Sequence, residues 1–410
     1  MLTPYWRDLG ALFSASALAQ GIPILASLLL ARLLLPAEFG LYAAWLGLFS
    51  VASVFLSLRY ETALPLEPAG PERRLALRSV LRTIAAVGAV LALLVAAASQ
   101  LGFWAAVPAA FLGLGPLVAM LLAASGALQL WLSAEGRFAL LSGFRVLQAA
   151  ALSGSQVLAV LWRPEALSLA LGMALGLSLA MLWIWLRCRH LDSRPVDAGA
   201  DSAASFLRRR WRFVALALPA GVLGTVAEQL PVVWVGSRFG AEAAGLLALA
   251  QRTLGAAIGL VASSVLDVFR RDSARAYAER GECALAFDHA LRLLLVMALL
   301  LALLVGAAGE PLFALVFGES WRRAGQIAVW LLPLFALRVV ASPLSFMFFL
   351  AQRQGLDLIW QLALVLFTAA ALGLPAQFKP ALLSYAWGYA ALYAVYVLMA
   401  RRLSRPAGQP

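Results

Sequence analysis

Arginine, glutamine and glutamate stand inside long apolar runs of this chain, where a partner or a water-filled space has to solvate them. In the run near residues 142–162, Arg145, Gln148 and Gln156 fall at i, i+3 and i+11. At about 100° per residue, Arg145 and Gln156 lie within about 20° of each other on one helix face. Near the start of the chain Ser16, Gln20 and Ser27 share a face beside Pro23, and Thr225, Glu228 and Gln229 group between Pro219 and Pro231. Arg252 and Arg338 are single guanidinium groups in apolar sequence. Arg59, Glu61, Asp267 and Arg292 lie nearer the ends of runs, where reaching to the membrane interface explains them as well as a site does. Taken singly, each polar group fits an interhelical hydrogen bond equally well. Taken together they predict a hydrophilic cavity that prefers anions, because a guanidinium keeps its proton and offers a fork matched to phosphate oxygens.

The elements that position these groups are membrane-spanning helices. Hydrophobic residues make up 63% of the 410 residues and charged residues 13%, and the mean hydropathy is +0.89, far from a soluble domain. A span needs about 20 apolar residues, and lipid leaves only closed helices as a way to satisfy the backbone. Twelve segments meet this, near 9–33, 41–64, 80–100, 106–131, 142–162, 167–187, 213–236, 243–268, 289–308, 326–350, 356–374 and 381–400. The expected fold is all-α and polytopic. Apolar sequence continues past Ala17-Leu18-Ala19 to Leu35, so the first segment reads as a retained span rather than a cleaved leader.

Basic residues alternate between the connecting segments, twenty-one against six, with Arg7, Arg73, Arg74, Arg78 and Arg208–Arg210 on the rich side. Retention of such residues inside the cell predicts a bacterial inner-membrane protein with both termini cytoplasmic. The same loops meeting anionic headgroups account for the net charge of +12 and the pI near 10.7 without nucleic acid. Cys188 and Cys283 fall on the reducing side, and neither they nor His190 and His289 have metal-ligand spacing, so no metal or disulfide is expected. The longest polar stretch divides the chain into residues 1–190, a linker at 191–212, and residues 213–410, with six spans on either side of it. Gly255 and Gly259 form a small-xxx-small pair expected to mark close helix packing.

Residues Leu34 to Tyr42, reading Leu-Leu-Pro-Ala-Glu-Phe-Gly-Leu-Tyr, and Arg59-Tyr60-Glu61-Thr62-Ala63 resemble the N-terminal signature of O-antigen-type polysaccharide flippases. Arg145-Val146-Leu147-Gln148, Leu249-Ala250-Gln251-Arg252 and Ser342-Pro343-Leu344-Ser345 add to the likeness. These flippases belong to the multidrug/oligosaccharidyl-lipid/polysaccharide exporter (MOP) superfamily. The resemblance implies two six-helix bundles in a V around a central cavity. It also implies transfer of an undecaprenyl-diphosphate-linked oligosaccharide across the inner membrane for O-antigen, capsule or exopolysaccharide. Polymerase and glycosyltransferases of that pathway would be partners.

On this reading Arg145, Arg252 and Arg338 pair with the diphosphate, and Gln20, Gln148, Gln156 and Gln229 hydrogen-bond sugar. No cofactor is expected beyond a coupling proton or sodium ion, for which Glu228 leads by depth, with Asp267 and Glu61 behind it. A multidrug or cation antiporter on the same fold is one alternative, although it calls for cavity carboxylates where this chain has more arginines. A membrane glycosyltransferase or polymerase is another, and it calls for a sizeable external loop.

Overall fold

The computed structural model describes residues 20–102, 108–188, 203–211, 213–280, 282–351 and 353–405. Ser16, the Ala17-Leu18-Ala19 tripeptide, His190 and most of the linker lie outside the described residues, as does the side chain of Asp267. Within them every regular element is a helix. Helix α1 runs over Gln20–Leu33, followed by α2 Pro36–Leu56, α3 Pro71–Gln100, α4 Ala109–Ala134, α5 Phe138–Trp162 and α6 Ala166–Cys188. A short α7, Ala203–Arg209, precedes α8 Leu218–Phe239, α9 Ala241–Arg280 and α10 Ala284–Phe317. The rest are α11 Arg322–Trp330, α12 Leu332–Leu344, α13 Phe346–Leu350, α14 Gln354–Gly373 and α15 Phe378–Leu403.

The twelve expected segments each contain helix, with α11 to α13 sharing the tenth. Among the described residues eight helical spans are long and apolar enough to cross a membrane. A ninth is formed if the pair Glu319–Trp330 and Leu332–Phe348, bent by 60°, is one span. Pro333 in the first turn of α12 explains that break. It has no N–H to give the carbonyl four residues back, so the helix restarts at a new angle. The chain is a multi-pass membrane protein.

Two compact units divide at Gln229/Leu230. The sequence reading placed the division within 191–212. The later boundary arises because the chain after the linker is held to the first unit. Glu67, itself buried, receives Arg210 Nε at 2.7 Å and Arg209 Nη2 at 3.1 Å. Tyr60 donates its hydroxyl proton to the Leu207 carbonyl at 3.2 Å.

In the first unit α4 is central and α3 peripheral, with 61% and 22% of their spans buried. Close packing of α5 on α6 depends on Gly172 and Gly176. A Cβ on Gly172 would meet Gln156 Cα at 2.6 Å, and one on Gly176 would collide with the Leu152 backbone. This is where the small-residue device operates, because bare glycine lets backbones touch. Gly255 and Gly259, expected to do so, have nothing within 4 Å of the Cβ position among the described residues. Spacing puts small residues on one face without saying which face meets a neighbour.

The signature around Pro36 has structural work. Pro36 occupies the first turn of α2, where its missing N–H costs nothing. Glu38 Oε2 accepts the N–H of Ala166, the first residue of α6, at 2.7 Å. That carboxylate satisfies one orphan donor and complements the positive helix end.

In the second unit Cys283 is buried ahead of α10, its thiol directed at Met347 Sδ at 3.4 Å. Burial first, and the charge of Glu282 second, push the thiol up to about 11. The thiolate fraction at pH 8 is then about 10⁻³, rising tenfold per pH unit until the pKa is passed. Maleimide at pH 7.5 is expected to modify half-exposed Cys188 and spare Cys283 in folded protein, and to modify both after denaturation. Equal labelling of both in the folded state would contradict this packing.

Candidate functional site: a cationic cavity in the first unit

The turn after α2 decides where two of the charges go. Helix α2 ends at Leu56, and Leu58 and Arg59 then take left-handed conformations, with φ of 48° and 60°. Such backbone costs about 1–3 kcal/mol per non-glycine residue and persists where the surroundings enforce it. Its effect is to turn Arg59 and Glu61 into the protein rather than out to the interface. A 3-10 helix over Tyr60–Leu66 follows, so the second span ends earlier than residue 64, the end expected from hydropathy.

Arg59 Nη1 and Glu61 Oε1 are 3.4 Å apart, with side-chain exposures of 34% and 9%. The other carboxylate oxygen, Oε2, and Arg59 Nε are buried and have no hydrogen-bond partner among the described residues. Room for the guanidinium comes from Gly221 on α8, where a Cβ would stand 2.8 Å from Arg59 Nε and 3.1 Å from its Cζ. A half-satisfied buried ion pair is costly to keep. Its open valences mark a place where a proton, an ion or a ligand group completes the set.

Beside this pair runs a ladder of amides. Arg145 Nε donates to Gln129 Oε1 at 3.0 Å, and Gln129 Nε2 donates to Gln148 Oε1 at 3.2 Å. Gln129 thereby fixes the orientation of Arg145 and leaves the terminal nitrogens of the fork for other contacts. Arg145 and Leu122 form the common wall of two adjoining cavities, each about 380 Å³. One is lined by Gln20 and Gln148, the other by Arg59, Glu61 and Gln129 with Ser53, Ser57 and Ser133. Two guanidinium groups, one carboxylate, three amides and three hydroxyls therefore line the two cavities inside one helical unit, interspersed with apolar residues such as Leu152 and Leu177.

Of the residues expected from sequence, the structure gathers Gln20, Arg145, Gln148 and Glu61 here. Gln156 is a correction. It is buried between helices, donating to Tyr42 Oη at 2.7 Å and to the Leu169 carbonyl at 3.2 Å, so both amide protons are used in packing. Tyr42 passes the chain on to Met173 Sδ at 3.1 Å. Glu228 is exposed on α8 and does not line these two cavities. Gln229 beside it is half-buried. Arg252 is exposed on α9. Arg338 is half-buried on α12, stacked 6.0 Å over Phe335, and close enough to Tyr385 and Tyr389 to act on them electrostatically. These last two belong to the second unit.

Gln129, Ser53, Ser57 and Ser133 were missed. A lone amide in the apolar run Leu128-Gln129-Leu130 is the signal that points to Gln129.

The sequence matches the family described as polysaccharide biosynthesis protein over residues 29–326. The chain belongs to that family. No curated sequence matches it. Among solved structures, the lipid II flippase MurJ in an inward closed conformation is similar, at 13% identity and a TM-score of 0.69, covering 95% of this chain and 87% of that one. An inward-facing multidrug resistance MATE transporter of the MOP superfamily follows at 14% identity and 0.61, covering 94% of each chain. A MOP superfamily transporter from Pyrococcus furiosus, whose binding pocket is described as of reverse polarity, has 15% identity and 0.59, covering 97% of this chain and 95% of that one. The fold is that of MOP-superfamily transporters and flippases.

The division between packing and site residues is open to measurement. Gln156→Ala is expected to lower stability by about 1–3 kcal/mol, because it strips a donor from buried acceptors, while the surviving folded protein transports normally. Gly221→Val is expected to keep its melting temperature within a few degrees and to lose transport by displacing Arg59. The reverse pattern in melting and export assays would contradict the assignment.

Proposed function

We propose that this protein is a flippase that carries an undecaprenyl-diphosphate-linked oligosaccharide across the bacterial inner membrane, from the cytoplasmic to the periplasmic leaflet, for surface polysaccharide synthesis. The carrying observation is the cavity in which Arg59 and Arg145 outnumber Glu61 and are flanked by Gln20, Gln129, Gln148 and three serines. A diphosphate needs permanently charged forks, and sugar hydroxyls need amides and hydroxyls that both donate and accept. The polyprenyl tail needs neither and stays in lipid. Family membership supports polysaccharide biosynthesis, and the MurJ-like fold supports a lipid-linked substrate.

The basic residues on one set of connecting segments support cytoplasmic termini. Arg252, Arg338 and Gln229 remain proposed contributors to binding. So does ion coupling, for which Glu61 is now the first choice: its unpartnered Oε2 lies beside a guanidinium that an anionic substrate would compete for. Substrate arrival would weaken the Arg59–Glu61 pair and let Glu61 take a proton or sodium ion. Glu228 and Asp267 follow. A lipophilic-cation antiporter is disfavoured by the same excess of arginine, which repels a cation throughout the cavity.

The test is a strain lacking this gene, complemented with the native sequence or with Arg145→Ala. Loss of one charge-assisted contact is expected to cut export about tenfold or more, with diphosphate-linked repeat units accumulating on the cytoplasmic leaflet. Native surface polymer with Arg145→Ala, or units trapped on the periplasmic leaflet in the null strain, would overturn the assignment.

A further inference from the structure

The second unit has a pocket of its own, about 240 Å³ in volume, where the end of α8 and the starts of α9 and α15 meet α11. Phe239 closes α8, Glu242 lies in the first turn of α9, and Phe378 opens α15. On α11 Arg323, Gln326, Ile327 and Trp330 fall at i, i+3, i+4 and i+7. One face of this short helix therefore presents a guanidinium, an amide and an indole to the pocket, next to buried Ile327.

Three aromatic rings from segments far apart in sequence converge here. Phe239, Trp330 and Phe378 are each half-buried, and the centroids of Phe239 and Phe378 are 5.4 Å apart. Lys379 Nζ lies 5.5 Å from the centroid of the Trp330 ring, so a face of the indole is open to an approaching group. Aromatic residues at the end of a span also anchor it to the membrane interface. These three instead share a concavity with buried Leu246 and Ile327 and with exposed Glu242, Arg323 and Gln326. Glu242 Oε1 and Arg323 Nη1 are 3.6 Å apart, beyond hydrogen-bond reach, on side chains 60% and 78% exposed. So exposed a pair separates at little cost, and both heads can turn to a ligand.

We infer that this pocket binds one pyranose ring of a carbohydrate. The C–H face of a pyranose rests on the negative face of an aromatic ring, while its hydroxyl edge calls for donors and acceptors side by side. Glu242 accepts from hydroxyls, Arg323 donates to them, and Gln326 does both. A bare phosphate would leave the rings unused, and a lipophilic cation would be opposed by Arg323 and Lys379. The volume is smaller than the roughly 300 Å³ at which drug-sized sites begin, which suits a single ring. Phe239, Glu242, Arg323 and Phe378 stand on the connections poor in basic residues, the periplasmic face in the orientation proposed above. There the pocket would receive a sugar of the delivered oligosaccharide. That role rests on the flippase reading, whereas the binding of a sugar does not.

Saturation-transfer NMR of the purified full chain in detergent tests this with the methyl glycosides of glucose, galactose, N-acetylglucosamine and glucuronic acid, and with cyclohexanol as an apolar ring of similar size. At least one glycoside is expected to receive saturation, chiefly at the C–H groups of one ring face, and cyclohexanol much less. Trp330→Ala is expected to weaken that binding roughly fivefold or more. Gln326→Leu, at an exposed position that the fold tolerates, should weaken it as well, and Trp330→Phe, which keeps a ring, should retain it. Absence of binding by every glycoside, or equal binding of cyclohexanol, would overturn the proposal. So would native affinity in both Trp330→Ala and Gln326→Leu, which would place the sugar elsewhere and leave the flippase reading standing. Binding that depends on Trp330, found together with units trapped on the periplasmic leaflet of the null strain, would uphold the pocket and remove the flippase role.

Discussion

A guanidinium cannot give up its proton, and hydrocarbon cannot solvate the charge that remains. Every arginine inside this membrane protein must therefore be met by groups that the helices themselves supply, and the first unit is arranged around that need. The strained turn at Leu58–Arg59 points one guanidinium inward, Gly221 leaves the volume for it, and Glu61 offers a counter-charge. Gln129 gives Arg145 a neutral acceptor oxygen from the neighbouring helix. Each of these partners satisfies its arginine only in part. The incompleteness separates a site from a structural ion pair such as Glu67, whose two carboxylate oxygens are each taken by an arginine.

Charge placement also separates the work of the helices. In α5 the residues Arg145 and Gln148 face the cavity, while Gln156, three turns on, is sealed against Tyr42 and Leu169. The first two interact with whatever enters. The third locks α2, α5 and α6 together by the hydrogen bonds that lipid cannot provide. Central α4 serves both functions, presenting Gln129 to the cavity and burying Leu128 and Trp131 among its neighbours.

The spans were legible because length and hydropathy leave little choice in lipid: the runs expected from sequence coincide with helices from α1 to α15. What sequence could not show was rotation and pairing. Arg59 and Glu61 lay where interfacial reach explained them, and only the left-handed turn, which hydropathy does not register, brings them inside. Glu228 looked deepest along its segment and is on an exposed face. Gly255 and Gly259 had the spacing of a packing motif and no neighbour among the described residues, whereas Gly172 and Gly176 had the neighbour. The signature at Pro36 to Phe39 was legible as family resemblance, yet its physical role, Glu38 closing the start of α6, required two segments about 130 residues apart to be seen in contact. Side-chain periodicity gives which residues share a face. Tertiary contact alone tells what that face meets.

The most direct measurement is equilibrium binding of a polyprenyl diphosphate to the purified protein in detergent, set against the matching polyprenyl alcohol and a lipophilic cation, for the native chain and for Arg145→Gln. The cationic cavity predicts selective binding of the diphosphate that weakens about tenfold or more in the variant, with the alcohol and the cation binding poorly to both. Tighter binding of the cation, or diphosphate affinity unchanged by Arg145→Gln, would contradict a flippase that works through this cavity.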